Sequence, residues 1–260
     1  MKNNFYIIEE TGKLIEMSEI ERNKIGNGRD GEVYRYSENE ILKLLHSYYM
    51  TEEKIMDLRE AVPEDANSRI IVPRLTINVP KAGRTKFKFN IPDGYIAKYI
   101  PESKDFIMSM TTEEFFCEIE QLRKEINNFL SLNKIAILDT NASNIMKSSE
   151  DQKLYLIDHD RDITPCSMYY EIKQVRNSDY VNYNNRKLAL ITYKCLLLSL
   201  LKFEGLSPDK RTNNPVCLYV ENELKENDNI TFSTSEKELK DYQTIGEYAQ
   251  RKILQIKRKR

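Results

Sequence analysis

The sequence predicts an α+β protein with a strand-rich first part and a helix-rich second part. Short apolar runs separated by turn-forming residues fill the first hundred positions, a pattern typical of antiparallel strands. After Pro101 the apolar residues instead recur at intervals of three and four, which is the period of an α-helix. We therefore expect a boundary near Tyr99, with residues 1–99 forming one domain and residues 100–260 the other.

The strand predictions depend on apolar runs and on the turns between them. We expect strands at residues 5–8, 14–15, 32–36, 41–45, 70–72 and 94–100. The polar run Ser37-Glu38-Asn39-Glu40 separates the third strand from the fourth, as in a hairpin. One helix is expected at residues 51–61, because Thr51 can cap it and acidic residues follow at once. A loop rich in proline, lysine and glycine is expected around residues 80–84.

Three stretches of the second part have helical periodicity. We expect helices at residues 112–132, 185–203 and 236–256, with strand-like runs at residues 144–146 and 154–157. Prolines and asparagines predict a loop over residues 204–235. The apolar stripe of the last helix comprises Leu239, Tyr242, Ile245, Ala249, Ile253 and Ile256. The basic residues 257–260 are interpreted as a solvated helix end.

The composition indicates a folded protein without a general affinity for nucleic acid or membranes. Of its 260 residues, 40% are hydrophobic and 31% are charged, which is enough apolar content for a sizeable core. Forty basic residues oppose 41 acidic ones, so the net charge of −1 gives no reason to expect nucleic-acid binding. The most apolar stretch, residues 188–201, is interrupted by Lys194 and Ser199 and is too short to span a membrane.

Cysteine and histidine usage argues against a zinc centre or a disulfide framework. The four cysteines are isolated from one another, and the chain has only two histidines. A structural zinc site needs about four clustered ligands, and disulfide frameworks belong to short, cysteine-dense secreted chains. The first ten residues contain four consecutive apolar residues, whereas a secretory signal needs about 7–15. We expect a cytoplasmic, reducing environment.

A glycine-rich run, Gly26-Asn27-Gly28-Arg29-Asp30-Gly31, lies between two predicted strands. In dinucleotide-binding folds the G-x-G-x-x-G pattern opens a helix, whose N-terminus meets the pyrophosphate. Here a strand follows the pattern, so that interpretation fits badly. A glycine-rich hairpin can instead lie over phosphates, because the missing side chains let backbone N–H groups approach the oxygen atoms.

Lys43 follows apolar residues in the next predicted strand. There it would point to the sheet face beneath the glycine-rich run and pair with phosphate oxygens, and it would need a carboxylate to position it. The predicted helix at residues 51–61 offers two, Glu52 and Glu53. We favour Glu52, because Ile55 and Met56 follow it by three and four residues as packing anchors. Glu53 remains the alternative.

Two further polar groups interrupt apolar runs in the second part. Asp139 begins the run Asp139-Thr140-Asn141-Ala142-Ser143-Asn144, and Asp158 follows fourteen residues after Asn144, directly after the apolar run at residues 154–157. Carboxylate and amide oxygens that converge near phosphates are how proteins hold Mg²⁺. Asp139, Asn144 and Asp158 together therefore indicate a magnesium site. Turn formation is the alternative interpretation of the Asp139 run.

Taken in order, these elements resemble the protein-kinase superfamily. The resemblance depends on G-x-G-x-x-G-x-V at residues 26–33, the strand lysine Lys43, D-x-x-x-x-N from Asp139 to Asn144, and Asp158. It covers residues 24–160. It implies a two-lobed fold, with a small antiparallel-sheet lobe and a larger, mostly helical lobe, and with ATP and Mg²⁺ bound between the lobes.

The resemblance also implies a role for each matching residue. The residues expected to bind ATP are Gly26, Gly28, Gly31, Val33, Lys43, Lys98 and Ile100. Lys43 would pair with the α- and β-phosphates and be positioned by Glu52, while main-chain groups of Lys98 and Ile100 would bond adenine. Ala97 would guard the rear of the adenine pocket. Asp139 would accept the proton of the attacking hydroxyl, and Asn144 and Asp158 would hold Mg²⁺.

The chain departs from the family pattern at several positions. Ile137-Leu138-Asp139 replaces H-R-D, Asp158-His159-Asp160 replaces D-F-G, and Asn141 stands where protein kinases usually carry lysine. These departures resemble atypical bacterial kinases and the small-molecule phosphotransferases of the aminoglycoside and choline type. We interpret Asp160 as a salt-bridge partner of Arg161 or a cap rather than a second metal ligand. His159 is interpreted as a packing or polar contact.

The resemblance implies an ATP- and Mg²⁺-dependent phosphotransferase that moves the γ-phosphoryl group to a hydroxyl. We favour an atypical protein kinase over a small-molecule kinase. Two alternatives are a catalytically silent nucleotide-binding scaffold and an enzyme that transfers AMP. Lys43, Asp139 and Asp158 are all present, which favours activity. The acceptor and the oligomeric state stay open.

Overall fold

A computed structural model of the chain describes residues 5–28, 30–64, 67–79, 91–103, 107–166, 179–206, 213–226 and 230–258. The protein is α+β, and its larger sheet is formed by strands of the first hundred residues. The chain divides into two compact units. Unit 1 comprises Met1–Ile100, Asn128–Leu138 and Ile157–Tyr180, and unit 2 comprises Pro101–Asn127, Asp139–Leu156 and Val181–Arg260. Two later segments therefore belong with the first hundred residues, which a single boundary near residue 99 does not anticipate.

Unit 1 contains a curled antiparallel sheet, with seven strands among the described residues. The strands are β1 (Phe5–Ile8), β2 (Leu14–Glu16), β3 (Lys24–Asn27), β4 (Gly31–Arg35), β5 (Glu40–Leu45), β6 (Pro73–Asn78) and β7 (Gly94–Lys98). Their order across the sheet is β2-β1-β6-β7-β5-β4-β3. Strand β5, which carries Lys43, is thus an interior strand that pairs with β4 on one side and β7 on the other.

Alternate residues of these strands face the core of unit 1. Tyr34, Leu42 and Ile96 are buried in one apolar cluster, which includes residues of the short helix α1 (Met17–Ile20). Because side chains alternate along a strand, the residues between them face the other way. The opposite face of the central strands therefore carries a different row of residues, and Lys43 belongs to it.

The register of the sheet aligns this second row. Gly26 lies opposite Val33, Val33 lies opposite Lys43, and Lys43 lies opposite Tyr95. Directly opposed residues of an antiparallel pair project from the same face. The sheet therefore places the glycine-rich turn (residues 26–31), Val33 and Lys43 on one face, next to Tyr95.

Helix α2 (Glu52–Ala61) matches the helix predicted at residues 51–61. The Thr51 side chain accepts a hydrogen bond from the Lys54 N–H at 3.2 Å, which caps the helix as expected. Ile55 and Leu58 are fully buried. Met56, predicted as a packing anchor, is instead 57% exposed, because it lies on the outer side of the helix.

The strand predicted at residues 70–72 is wrong. These residues precede β6, which begins at Pro73. A proline lacks the N–H that a ladder needs, so it is tolerated best at the first residue of a strand. The loop predicted around residues 80–84 lies outside the described residues.

The helical part of unit 2 begins with α3 (Thr112–Glu125). The chain continues in a π-helical turn over Ile126–Ser131, whose last four residues belong to unit 1, so the prediction of a helix at residues 112–132 is confirmed apart from its last residue. A capping box formed by Thr111 and Glu114 starts the helix. The hairpin of β8 (Ile145–Lys147) and β9 (Leu154–Leu156) follows, close to the predicted strands. Helix α4 (Tyr180–Phe203) contains the predicted helix at residues 185–203.

The C-terminal part differs from the prediction. It contains α5 (Pro215–Glu226), α6 (Phe232–Leu239) and α7 (Ile245–Arg258). The loop predicted over residues 204–235 is therefore wrong at residues 215–226 and 232–235, and the predicted last helix is divided between α6 and α7. Pro215 is one of the prolines that predict this loop, but it occupies the first position of α5, where its missing N–H is not needed. None of the helices in the described part of the chain is both long and apolar enough to cross a membrane.

Gly31 is predicted to be required by the sheet itself. A Cβ atom at this position would lie 2.3 Å from the backbone oxygen of Leu44, whereas at Gly28 it would meet nothing closer than 3.8 Å. We expect Gly31→Ala to lower the free energy of unfolding by roughly 1–3 kcal/mol, because the paired strands must separate. Gly28→Ala is the control and should change it by less than about 0.5 kcal/mol in urea unfolding. Equal effects of the two substitutions would contradict the prediction.

Candidate functional site

The centre of the site in unit 1 is the charge cluster of Lys43, Asp158 and Asp160. The Lys43 ammonium donates to Asp158 Oδ1 at 2.9 Å and lies 2.9 Å from Asp160 Oδ2. The side chains of Lys43 and Asp160 are only 7% and 1% exposed, whereas that of Asp158 is 35% exposed. One carboxylate of the cluster is therefore sealed from solvent and the other is accessible.

Neighbouring groups hold Asp160 in place. The Tyr95 hydroxyl donates to Asp160 Oδ1 at 2.9 Å, and Tyr95 is itself buried. The Lys54 ammonium, from α2, donates to the backbone oxygen of Asp160 at 3.1 Å and to that of Tyr49 at 2.8 Å. A buried carboxylate requires such partners, because an unpaired buried charge is strongly destabilising.

Burial and charge shift the pKa values of this cluster. Burial raises the pKa of Asp160, and the nearby negative charge of Asp158 raises it further, while the Lys43 ammonium opposes both. Burial by itself lowers the pKa of Lys43, but the attraction of Asp160 and Asp158 outweighs it, so that pKa lies above its usual value. Burial also raises the pKa of Tyr95, which therefore stays neutral and continues to donate its hydrogen bond.

The carboxylate expected to position Lys43 is not its partner. Glu52 accepts a hydrogen bond from Asn78 Nδ2 at 3.3 Å, and among the described residues the ion pairs of Lys43 go to the two aspartates. Glu53 does not replace it, since its Oε2 atom is buried without a hydrogen-bond partner in the described part of the chain. Helix α2 contributes Lys54 to this region instead. The sequence does not reveal the role of Lys54, because glutamates and a lysine follow Thr51 in direct succession and their order does not show which of them faces Lys43.

The glycine-rich turn forms the connection between β3 and β4. Arg29 lies outside the described residues, but the Gly28 N–H donates to the Gly31 oxygen at 2.9 Å and closes the turn. At Gly26 and Gly28 a Cβ atom would meet only ordinary contacts. The packing of the protein therefore does not itself require glycine at these two positions, whereas the close approach of β5 does require it at Gly31.

Asp30 ties this turn to the segment that contains the aspartates. Arg161 donates two hydrogen bonds to the Asp30 carboxylate, Nε at 3.2 Å and Nη2 at 3.0 Å. The Arg161 guanidinium also lies 4.7 Å from the centroid of the Tyr49 ring. The predicted salt bridge between Asp160 and Arg161 is therefore wrong, since the side chains of Asp160 and Arg161 pair with Lys43 and Asp30, respectively.

Residues 158–161, called here the aspartate segment, have a constrained backbone. Asp158 has φ +61°, a left-handed conformation that is uncommon for a residue other than glycine and that often marks functional sites. His159 is buried, and its Nδ1 atom lies 2.7 Å from Asp162 Oδ2, in agreement with the predicted polar contact. Asp162 also accepts a hydrogen bond from the Leu138 N–H at 3.1 Å.

Unit 2 carries the run from Asp139 to Asn144. Asp139 Oδ1 accepts a hydrogen bond from the Asn141 N–H at 3.0 Å, and Asn141 Oδ1 caps the 3₁₀ turn Ala142–Asn144 through the Ser143 N–H at 3.2 Å. These contacts fit the turn-forming interpretation of the sequence. They leave Asp139 Oδ2 without a hydrogen-bond partner among the described residues.

Asn144 ends this turn and is only 5% exposed. In the described part of the chain its side-chain amide makes no hydrogen bond. Asp158 Oδ2, in unit 1, likewise has no partner among the described residues. Hard oxygen atoms without a protein partner suit Mg²⁺, so the donor chemistry of both residues fits the predicted ion. The described residues contain no group of three His, Cys, Asp or Glu side chains able to hold a metal.

The residues expected to bind adenine lie at the end of β7. Lys98 is the last residue of this strand and lies opposite Glu40, while Ala97 and Ile100 are buried. Ala97 and Lys98 line a cavity of about 790 Å³ within unit 1. That cavity is not lined by Val33 or Lys43, so it differs from the predicted ATP site.

A second cavity, of about 560 Å³, lies within unit 2 beside Asp139. Its lining includes Lys194 and apolar residues of α4 and α5, among them Leu198 and Leu224. The Lys194 ammonium donates to Thr140 Oγ1 at 3.0 Å. Burial lowers the pKa of Lys194, and the negative charge of Asp139 opposes that shift. The cavity therefore combines a cation, a carboxylate and an apolar wall.

Sequence reasoning missed several residues of these sites. Tyr95 and Lys54 were not singled out, and Lys194 was noted only as an interruption of an apolar run. A signal existed for Tyr95, because its strand was predicted and alternation would have placed it on the face opposite Ile96. No local pattern reveals that Lys194 reaches Thr140, since 54 positions separate the two residues.

Comparison with known proteins gives no family assignment. No protein-family model matches the chain, and a search of curated proteins finds no match. Any function assigned to this protein must therefore come from its own residues and contacts.

The bidentate contact between Arg161 and Asp30 is predicted to stabilise unit 1. Arg161→Ala should lower the free energy of unfolding by about 1–3 kcal/mol, because partly buried hydrogen bonds to a charged group are lost. Arg161→Lys should not restore it, since lysine cannot make the two parallel hydrogen bonds. Arg123→Ala, which removes a more exposed pair with Glu120, is the control and should cost less than about 0.5 kcal/mol. Full rescue by lysine in urea unfolding would contradict the prediction.

Proposed function

We propose that this protein is an ATP- and Mg²⁺-dependent phosphotransferase that transfers the γ-phosphoryl group of ATP to a hydroxyl. The observation that carries the proposal is the row formed by Gly26, Val33 and Lys43 on one face of the sheet, with Lys43 held against Asp158. A lysine beneath a glycine-rich turn and beside an accessible carboxylate suits the binding of phosphates and a divalent cation.

Several of the predicted residues have a role in this proposal. In unit 1, backbone groups of the glycine-rich turn and the Lys43 ammonium bind phosphate oxygens, and Asp158 supplies an oxygen ligand. In unit 2, Asn144 supplies an amide oxygen, and Asp139 Oδ2, which has no hydrogen-bond partner among the described residues, accepts the proton of the attacking hydroxyl. A bound Mg²⁺ would neutralise charge on the phosphates. The protein contributes positioning and electrostatic stabilisation.

Two acceptors are considered for the phosphoryl group. The sequence favours the hydroxyl of a protein side chain. The cavity beside Asp139 favours a second candidate, a small molecule with a hydroxyl group and an apolar body, because the cavity is lined by Lys194 and leucines and is of a size that suits a small ligand. The retained Lys43, Asp139 and Asp158 are the reason to prefer either enzyme over a silent scaffold.

The proposal is tested by incubating the purified protein with γ-labelled ATP and Mg²⁺. Label should appear on the protein, on an added protein substrate, on a small hydroxyl compound or as released phosphate. Asp139→Asn should lower kcat by about 10²–10⁴-fold, because the proton acceptor is lost, with little change in the KM for ATP. Asp158→Asn should abolish turnover by removing a charged metal ligand. Absence of ATP binding by the unsubstituted protein would refute the enzymatic proposal.

The cavity beside Asp139 gives a separate prediction about the acceptor. Leu224 lines this cavity and is 47% exposed, while Leu218 lies on the same helix, is 39% exposed and lines a different cavity. If the acceptor is a small molecule, Leu224→Arg should raise its KM by about tenfold or more, because a charge enters an apolar wall. The KM for ATP should stay unchanged.

Leu218→Arg is the matched control for this experiment and should leave both KM values within about twofold. A larger effect of Leu218→Arg than of Leu224→Arg on the acceptor KM would contradict the assignment of the cavity. Labelling of protein substrates that neither substitution alters would favour the protein-kinase alternative.

A further inference from the structure

The proposed function requires a carboxylate that holds Lys43 in place while phosphates and a cation bind. In the protein-kinase pattern this carboxylate is a glutamate on the helix after the lysine strand. Here that helix is α2, and its two candidate residues do not form an ion pair with Lys43 in the described part of the chain. Another group must therefore position the Lys43 ammonium.

Asp158 and Asp160 both contact Lys43, but their exposure differs sharply. Asp158 is 35% exposed and has a free Oδ2 atom among the described residues, so it is accessible to a cation. Asp160 is 1% exposed, with Oδ1 bonded to Tyr95 and Oδ2 beside Lys43. A cation that drew Asp158 away would leave Asp160 as the remaining partner of the lysine.

Asp160 is also fixed from three directions. Tyr95, on β7, lies directly opposite Lys43 on β5. The strand pairing therefore fixes the position of the tyrosine, which donates to Asp160, relative to the lysine. Lys54, on α2, holds the backbone oxygen of Asp160. Arg161, the next residue, is anchored on Asp30 of the glycine-rich turn. A carboxylate fixed in this way has little freedom to leave the lysine.

We propose that Asp160 is the positioning residue of Lys43 and takes the place of a glutamate on α2, with Tyr95 orienting its carboxylate. This inference rests on the proposed function for the part that concerns phosphate binding. Asp158 then supplies the accessible oxygen ligand, and the two aspartates have different tasks. Helix α2 supports the arrangement through Lys54 and not through Glu52.

The pairing itself is tested without ATP by double-mutant cycles in urea unfolding of the full chain. The cycles combine Lys43→Met with Asp160→Asn and, separately, Lys43→Met with Glu52→Gln. The variant that carries both Lys43→Met and Asp160→Asn should shift the unfolding midpoint by clearly less than the sum of the shifts caused by the two single substitutions, because each of them removes the same contact. The second should be additive. Additivity in the first cycle, or a larger coupling in the second, would overturn the proposal.

The positioning role is tested by kinetics with γ-labelled ATP and Mg²⁺. Asp160→Asn keeps the shape and the acceptor for Tyr95 but removes the charge that faces Lys43. We expect kcat to fall about 100-fold while the KM for ATP changes by less than about fivefold, because misplacement affects the transition state more than ground-state binding. The kcat of the Glu52→Gln variant should be at least tenfold higher than that of the Asp160→Asn variant. The reverse order would overturn the proposal.

Tyr95→Phe is the second variant, in case Asp160→Asn does not fold. It retains the buried ring and removes only the hydroxyl, so we expect kcat to fall about tenfold, the effect of losing one hydrogen bond to a charged group. An unchanged kcat would remove Tyr95 from the proposal and overturn its orienting role. If the unsubstituted protein neither binds nor turns over ATP, the proposed function fails, and the double-mutant cycles alone then confirm or refute the Lys43–Asp160 pair.

Discussion

The structure of unit 1 depends on the burial of one ammonium group between two carboxylates. Lys43 lies on an interior strand, and moving its charge out of water costs several kcal/mol unless opposite charges surround it. Asp158 and Asp160 supply those charges at 2.9 Å. Asp160 is sealed from solvent, whereas Asp158 is the more exposed of the two carboxylates. The cluster thus stabilises the fold and leaves a carboxylate for a cation.

The aspartate segment connects this cluster to the elements around it. Through Asp160 it contacts β5, β7 and α2, and through Arg161 it contacts the glycine-rich turn. A shift of this segment would therefore move both Lys43 and the glycine-rich turn. The left-handed backbone of Asp158 is maintained by these contacts, since such a conformation persists only where the surroundings enforce it. In unit 2, the run from Asp139 to Asn144 is held by hydrogen bonds between neighbouring residues and by the Lys194 ammonium, which reaches Thr140.

Much of the fold and part of the site follow from local patterns. Apolar runs and the turns between them predicted most strands of the sheet, a capping threonine followed by acidic residues predicted α2, and the three-to-four period predicted α3 and α4. These patterns work because side-chain direction repeats with the backbone geometry of each element. The loop prediction failed at residues 215–226 and 232–235, because prolines and asparagines also serve at helix starts. The predicted partner of Lys43 was wrong. The spacing of Glu52 on its helix made it a plausible partner, but no local sequence pattern shows whether its carboxylate reaches the lysine.

The sequence by itself determined the residue types that phosphate and metal chemistry need, their order along the chain, and the strands and helices that carry them. Only the tertiary structure decided which charges meet. Lys43 and its two aspartates are separated by more than a hundred positions, and Tyr95 joins them from another strand. Such contacts depend on strand register and on desolvation, which are properties of the packed chain. A buried lysine pairs with the carboxylates that the packing places beside it, and here those are Asp158 and Asp160.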